Sequence, residues 1–173
     1  RVVLHCASLL NMRPVPSLKM QDVNVEGTGA VIAAAKACKV ATLIYTASLE
    51  VVSGTDVNGV SRLLDGVDES CPIPARHHLP YASSKAYAER LVLSADCAEL
   101  RTCSIRPGYI MGAGCIGLRV EMIKAAQRSG YYVTAVQDVA DHLLGVVGTT
   151  ARRCEAPVCG TGHQRGGAGK SGG

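Results

Sequence analysis

Aromatic residues are scarce in this 173-residue sequence, which contains no tryptophan, no phenylalanine and only six tyrosines. The core must therefore be built mainly from aliphatic, alanine and cysteine side chains, and a hydrophobic content of 47% is sufficient for one globular domain. Few rings are present on which nucleobases could stack, and the basic residues that leave a net charge of +4 are scattered. No nucleic-acid-binding surface is predicted.

Metal-binding and membrane-spanning patterns are also missing from the sequence. The eight cysteines include no Cys-x-x-Cys pair and match no zinc-binding spacing, so no metal site is predicted. Apolar runs are shorter than the ~18–20 residues needed to span a bilayer, and no signal peptide is recognisable. We therefore expect reduced thiols and an intracellular location.

Short apolar strands alternate with helical patterns along most of the sequence. Strands are predicted at residues 2–7, 42–46 and 101–106, with a short one near 131–134. Helices are predicted at residues 19–38, 81–93, 118–128 and 136–147. This alternation predicts an α/β fold with a parallel sheet covered by helices. The connection over residues 48–79 is long, and connections of this length often serve a site.

The alternation ends near residue 148, which divides the sequence into two parts. Residues 1–148 are predicted to form a partial α/β domain. Residues 149–173 are rich in glycine and arginine and almost lack aliphatic side chains, so they are predicted to be a disordered tail. The sequence opens within a strand pattern, and we expect it to be a piece of a longer protein.

Tyr81 and Lys85 are four residues apart in a run that reads as a helix beginning after Pro80. Side chains at i and i+4 lie on one face of a helix, one turn apart. An ammonium close to a phenol lowers the phenol's pKa from about 10 and makes it usable as a general acid or base. The alternative is an ordinary solvated helix face, because this spacing also arises by chance.

Two other polar residues are candidates for the same site. Ser48 follows the predicted strand 42–46 at the carboxyl edge of the sheet, where open α/β sheets bind ligands; the alternative is a turn in which its hydroxyl binds its own backbone. Asn24 lies inside the first predicted helix. A buried amide there needs partners and could bridge backbone and water near the site, whereas the alternative is an exposed helix residue.

Residues 112–117 read Gly-Ala-Gly-Cys-Ile-Gly and match the Gly-x-Gly-x-x-Gly pattern of dinucleotide-binding turns. We predict a plain glycine-rich loop instead, because Pro107 and Gly108 end the preceding strand too early. In addition, no later strand ends in an acidic ribose ligand at the expected distance of about twenty residues.

Five segments occur in a recognisable order and spacing. They are His-Cys-Ala-Ser at 5–8, Asn-Val-Glu-Gly-Thr at 24–28, Ile-Tyr-Thr-Ala-Ser-Leu-Glu-Val-Val at 44–52, Pro-Tyr-Ala-Ser-Ser-Lys-Ala-Tyr-Ala-Glu at 80–89, and Leu-Arg-Thr-Cys-Ser-Ile-Arg-Pro at 100–107. Together they resemble the extended short-chain dehydrogenase/reductases, and among these most closely the 3β-hydroxysteroid dehydrogenase family, over residues 2–144. The resemblance implies a partial Rossmann-like, doubly wound parallel sheet. It also implies NAD- or NADP-dependent oxidation or reduction of a small-molecule, steroid-like alcohol or ketone.

The resemblance also implies roles for the four candidate catalytic residues. Tyr81 matches the family's catalytic acid/base, and Lys85 matches the lysine that lowers its pKa and holds the nicotinamide ribose. Ser48 matches the hydroxyl that orients and polarises the substrate's C–O group. Asn24 matches the helix asparagine that supports the proton relay.

Cofactor contacts, assembly and location follow from the same resemblance. Ala7 and Pro107 fall where relatives pass the cofactor, so with Tyr81 and Lys85 they are the predicted cofactor-binding residues. A homodimer through the helix that carries Tyr81 is expected as in the family. The location is then the cytoplasm or the surface of the endoplasmic reticulum membrane.

The sequence departs from the family pattern in two places. The family's first strands and its Gly-x-x-Gly-x-x-Gly turn would precede Arg1, and a segment between residues 127 and 131 is shorter than in relatives. From these departures we expect the chain as given to bind dinucleotide weakly or not at all. The alternatives are another extended relative, such as a sugar-nucleotide epimerase or a cinnamoyl- or flavonoid-type reductase, or a catalytically inactive fragment that acts as a binding remnant.

Overall fold

The computed structural model describes residues 1–60, 68, 70–111 and 133–135. Several predictions lie outside these residues and stay predictions. They are the glycine-rich loop at 112–117, the helices at 118–128 and 136–147, and the disordered tail at 149–173.

The main sheet consists of three parallel strands in the order β1 (Val2–His5), β2 (Thr42–Thr46) and β3 (Arg101–Ile105). Tyr45 in the central strand pairs with His5 on one side and with Ser104 on the other. All three strands therefore end at the same edge of the sheet. The predicted α/β class with a parallel sheet is confirmed, and β2 has the predicted bounds. β1 is shorter than predicted because the chain leaves the sheet after His5.

One continuous helical stretch connects β1 to β2, as predicted, but its hydrogen bonding is not uniform. It comprises α1 (Leu18–Gln21), a π-helical turn (Asp22–Glu26) and α2 (Gly27–Ala37). The Ser17 hydroxyl caps its start by accepting the Met20 N–H at 3.3 Å. The π-helical turn was not predicted; such turns occur frequently at functional sites, and this one carries Asn24.

Helix α3 (Pro80–Ser94) begins with Pro80 in its first turn, where a missing N–H costs nothing. The core lies between this helix, α2 and one face of the sheet. It consists of small and aliphatic side chains around a single tyrosine: Ala35, Val40, Leu43, Tyr45, Ala47, Val51, Ala86, Ala88, Val92 and Leu100. Alanines on α3 let the helix lie close to the sheet, which places its polar residues near the strand ends.

The connection between β2 and α3 contains a 3₁₀ helix (Leu49–Val52) and a bridge between Thr55 and Arg76. A second, parallel pair of short strands is formed by β4 (Tyr109–Met111) and β5 (Val133–Ala135). The prediction of a strand near 131–134 is confirmed with a shift, whereas β4 was not predicted. Within the described residues, no helix has the length and apolarity needed to cross a membrane.

Candidate active site

The candidate site is formed where the sheet strands end beside the first turns of α3. Two backbone hydrogen bonds join the chain after β2 to the end of β3 and the residues that follow it. The Ala47 N–H donates to the Ile105 carbonyl at 2.7 Å, and the Leu49 N–H donates to the Pro107 carbonyl at 2.9 Å. Ser48 lies between these two bonds, at the start of the 3₁₀ helix, and its hydroxyl accepts the Glu50 N–H at 3.2 Å. The Ser48 hydroxyl therefore binds the backbone of its own turn, as the alternative interpretation of this residue predicted. Ser48 also lies at the carboxyl edge of the sheet, where open α/β sheets bind ligands.

The phenol of Tyr81 is partly buried in this corner. Burial raises its pKa above the ordinary value of 10.0, and the Glu50 carboxylate adds to the rise. Interactions with the Ser48 and Ser8 hydroxyls act in the opposite direction on this pKa. The Tyr81 phenol is therefore neutral at physiological pH. The predicted lowering of its pKa is wrong for this structure.

The reason lies in the direction of the Lys85 side chain. Lys85 is 2% exposed and donates to the Thr46 carbonyl at 2.6 Å, with its ammonium 4.4 Å from the centre of the Tyr45 ring. The Lys85 ammonium therefore binds the end of β2, whereas the helical spacing predicted that it would lie beside the Tyr81 phenol. Burial lowers the Lys85 pKa from 10.5 to about 8, while Cys6 and Glu89 act to raise it.

Asn24 is 1% exposed and its amide is fully used. Oδ1 accepts the Leu9 N–H at 2.7 Å and the Ser8 hydroxyl at 3.2 Å, and Nδ2 donates to the Leu9 carbonyl and to the Ser84 hydroxyl, each at 3.0 Å. Ser84 in turn donates to the Tyr81 carbonyl at 2.8 Å. Asn24 therefore joins the loop after β1 to the first turn of the Tyr81 helix. Its interpretation as an exposed residue is wrong; its role in a proton relay stays a prediction.

The two other predicted cofactor residues lie on either side of the end of β2. Ala7 is exposed just after β1, beside Cys6, whose Sγ is 3.3 Å from Thr46 Oγ1. Pro107 is buried just after β3. The structure thus brings all six predicted site residues to one edge of the sheet, and their individual roles stay predictions.

Sequence reasoning did not single out several residues that complete the site. His5 is buried, with Nε2 2.9 Å from Thr28 Oγ1 and its ring centre 5.4 Å from that of Tyr45. Burial lowers the pKa of His5, and the Lys85 charge adds to this effect. Glu89 is 2% exposed and forms an ion pair with Arg106. Glu89 could have been found from its helical spacing, four residues after Lys85 and eight after Tyr81; the His5 contacts depend on the tertiary fold.

Comparison with solved structures identifies the class of this fold. The chain is similar to MoeE5, solved in complex with UDP-glucose and NAD, with a TM-score of 0.68 and 25% identity; the match covers 87% of this chain and 53% of that one. RMD from Pseudomonas aeruginosa, solved in complex with NADPH, has the same fold, with a TM-score of 0.64 and 21% identity; the match covers 85% of this chain and 55% of that one. The parallel strand order and the covering helices are those of an extended short-chain dehydrogenase/reductase.

The sequence profile of the 3-beta hydroxysteroid dehydrogenase/isomerase family matches residues 1–144. The chain belongs to this family.

Two curated relatives illustrate the range of the match. One is the sterol-4-alpha-carboxylate 3-dehydrogenase (decarboxylating) of Schizosaccharomyces pombe, which is 41% identical over 117 residues, or 66% of this chain and 31% of that protein. The other is the human 3 beta-hydroxysteroid dehydrogenase type 7, 35% identical over 157 residues, or 87% of this chain and 42% of that protein. The chain therefore spans less than half the length of these relatives.

Proposed function

We propose that the protein carrying this chain is an NAD- or NADP-dependent oxidoreductase that acts on the CH–OH group, or the corresponding ketone, of a 3β-hydroxysteroid or sterol. The observation that carries the proposal is the placement of Tyr81, at the start of α3, and of Ser48, at the start of the 3₁₀ helix, beside the carboxyl edge of the sheet, where the Ser48 hydroxyl acts on the Tyr81 pKa. Two adjacent hydroxyls, one of them titratable, are what an alcohol or carbonyl oxygen requires for orientation and proton transfer. Family membership and the names of the relatives support a sterol-like substrate.

The residues present fit a nicotinamide cofactor. Tyr81 and Lys85 lie one turn apart on α3, and their hydroxyl and ammonium are donors of the kind that ribose hydroxyls require. The Lys85 ammonium is bonded to the Thr46 carbonyl in this structure and would have to turn from it to reach a ribose, whereas Ala7 is exposed just after β1. Pro107 would form the opposite wall at the end of β3. The bound cofactor would accept or supply the hydride.

The protein's own side chains would manage the proton and the substrate oxygen. Ser48 would orient the C–O group, and the neutral Tyr81 phenol would donate its proton to a ketone oxygen. In the oxidative direction Tyr81 must act as a base, which requires its pKa to fall. We propose that the Lys85 ammonium, one turn away, supplies the necessary positive charge.

The test is the pair of variants Tyr81→Phe and Tyr87→Phe. Tyr87 lies on the same helix but is 56% exposed, so it is a matched control. With a 3β-hydroxysterol and either dinucleotide, we expect Tyr81→Phe to lower kcat/KM by roughly 10²–10⁴ and Tyr87→Phe to leave it unchanged. NADH or NADPH absorbance would report turnover, and circular dichroism would verify folding.

A panel of UDP-hexoses in the same assay addresses the closest alternative. Turnover of these substrates without turnover of sterols would assign the protein to the sugar-nucleotide branch, which the fold also accommodates. Equal rates for Tyr81→Phe and the parent protein would contradict the assignment of the acid/base. Absence of turnover with every substrate would support the inactive fragment instead.

A further inference from the structure

Glu89 is a buried carboxylate on the helix face that carries the site, one turn beyond Lys85 and two beyond Tyr81. Its side chain is 2% exposed, and both of its oxygens accept from Arg106 Nε, at 2.9 Å and 3.2 Å. Arg106 directly follows β3 and is itself largely buried. An unpaired carboxylate in such a position would be costly, so the ion pair allows α3 to carry a negative charge into the core.

The direct contacts of the Lys85 ammonium are to neutral groups. The Thr46 carbonyl accepts its hydrogen bond at 2.6 Å, and the Tyr45 ring lies beneath it at 4.4 Å. The carbonyl dipole and the quadrupole of the ring both stabilise a nearby cation, but neither group carries a formal charge. An anion in the surroundings is therefore needed to offset the burial of this charge.

The titratable groups around Lys85 come from each element that packs against it. Cys6 follows β1 and His5 ends it. Negative charge on Cys6 opposes the effect of burial on the Lys85 pKa more than Glu89 does, and the His5 pKa is lowered by burial and in part by the lysine charge. Tyr45 on β2 is held neutral, because burial raises its pKa. On α3, Tyr81 is neutral for the same reason, which leaves Glu89 as the carboxylate of this set.

We propose that Glu89, fixed by Arg106, is a positioning residue that holds the Lys85 ammonium charged at the end of β2. The pair would also connect α3 to the end of β3, where Pro107 accepts the Leu49 N–H. A charge that acts through Lys85 makes a prediction that a purely structural link does not. Removing the charge of Glu89 must shift the titration of Lys85.

The experiment is a titration of Lys85 by NMR of its isotope-labelled side chain, assigned with Lys85→Met. Glu89→Gln keeps an oxygen that can accept from Arg106 Nε but removes the charge. We expect the Lys85 midpoint to fall from about 8 by about one pH unit. Asp96→Asn is the matched control, because Asp96 also binds an arginine Nε at 2.9 Å. This ion pair is exposed, and Asp96 is not among the groups that shift the Lys85 pKa. It should leave the midpoint unchanged.

An unchanged Lys85 midpoint in folded Glu89→Gln would overturn the proposal, as would an equal shift in Asp96→Asn. If Glu89→Gln does not fold, Arg106→Gln decides the question. That variant leaves the carboxyl without its cation. If the ¹³C shift of the Glu89 carboxyl shows it ionised, the Lys85 midpoint must rise, and if the shift shows it protonated, the midpoint must fall as in Glu89→Gln. An unchanged midpoint, or one that moves against the charge of Glu89, would reject the proposal.

The catalytic consequence of this role rests on the proposed function, but the titration itself does not. A shifted midpoint in a protein without oxidoreductase activity would retain Glu89 as a positioning residue and reject the proposed function. An active protein whose Lys85 midpoint does not shift in Glu89→Gln would retain the proposed function and reject Glu89 as a positioning residue. In an active protein, the Glu89→Gln shift should also appear in the pH profile of kcat/KM.

Discussion

Asn24 offers the sharpest test of how the site is held together, and the perturbation is Asn24→Ala. The change removes four hydrogen bonds that join the loop after β1 to helix α3. At about 1 kcal/mol for each bond the loss would be about 4 kcal/mol. Leu9 and Ser8 lie near the surface and can bind water in the variant, which returns part of this loss. We therefore expect the free energy of unfolding to fall by about 3 kcal/mol.

The assay is urea unfolding followed by circular dichroism, with a thermal melt beside it. For a chain of this size about 3 kcal/mol corresponds to a decrease in Tm of about 6–12 °C. Asn11→Ala is the matched control, because Asn11 also accepts a backbone N–H, from Arg13 at 3.0 Å, but this hydrogen bond is exposed to solvent. It should change the free energy of unfolding by less than about 0.5 kcal/mol. Equal losses in the two variants would refute the reasoning.

Two further predictions concern pH and backbone conformation. Burial lowers the Lys85 pKa from 10.5 to about 8. The unfolded state therefore binds more protons than the folded state between these two pH values. The free energy of unfolding rises with pH across that window, and this contribution is lost as the pH falls through 8. Relative to Lys85→Met, the parent chain should gain about 3 kcal/mol over that window in pH-dependent urea unfolding; parallel curves would exclude a lowered pKa. Gly54 has a φ of +155°, and a Cβ there would meet the Arg76 carbonyl oxygen and approach Pro74 Cγ to 2.8 Å. Gly54→Ala should therefore lower the free energy of unfolding by at least about 2 kcal/mol. Gly29 in α2 is the control, because a Cβ there would meet no heavy atom within 4 Å, and Gly29→Ala should raise the free energy of unfolding by about 0.5–1 kcal/mol. Changes of the same sign in thermal melts of the two variants would contradict this prediction.

The fold was predictable where local pattern and tertiary environment agree. β2 is buried from Thr42 to Tyr45, and its continuous apolar run gave the strand its correct bounds. β4 was missed because Pro107 and Gly108 read as the end of a strand, whereas the chain begins a new strand at Tyr109. The π-helical turn was missed because no local pattern indicated it, and its central residue makes tertiary contacts. Asn24 at its centre binds Ser84, sixty residues further along the chain.

The placement of the candidate residues at one edge of the sheet was predictable, but their electrostatics were not. Helical spacing correctly put Tyr81 and Lys85 on one face of α3. It could not show that the end of β2 brings the Thr46 carbonyl to the ammonium at 2.6 Å. Burial likewise depends on the packing of the whole domain, and it is the largest cause of the pKa shift of both residues.

These two shifts have opposite directions, and their order determines what the site does by itself. The Lys85 pKa falls to about 8 and the Tyr81 pKa rises above 10.0, so Lys85 loses its proton before Tyr81 as the pH increases. In the described arrangement Tyr81 is therefore protonated, which is the state in which the proposed function has it donate to a ketone oxygen. The proposed oxidation of an alcohol needs the ionised phenol, which a positive charge closer to it would favour. Both directions pass through one transition state, so the distance between the Lys85 ammonium and the phenol would set the pH dependence of the proposed reaction rather than its direction.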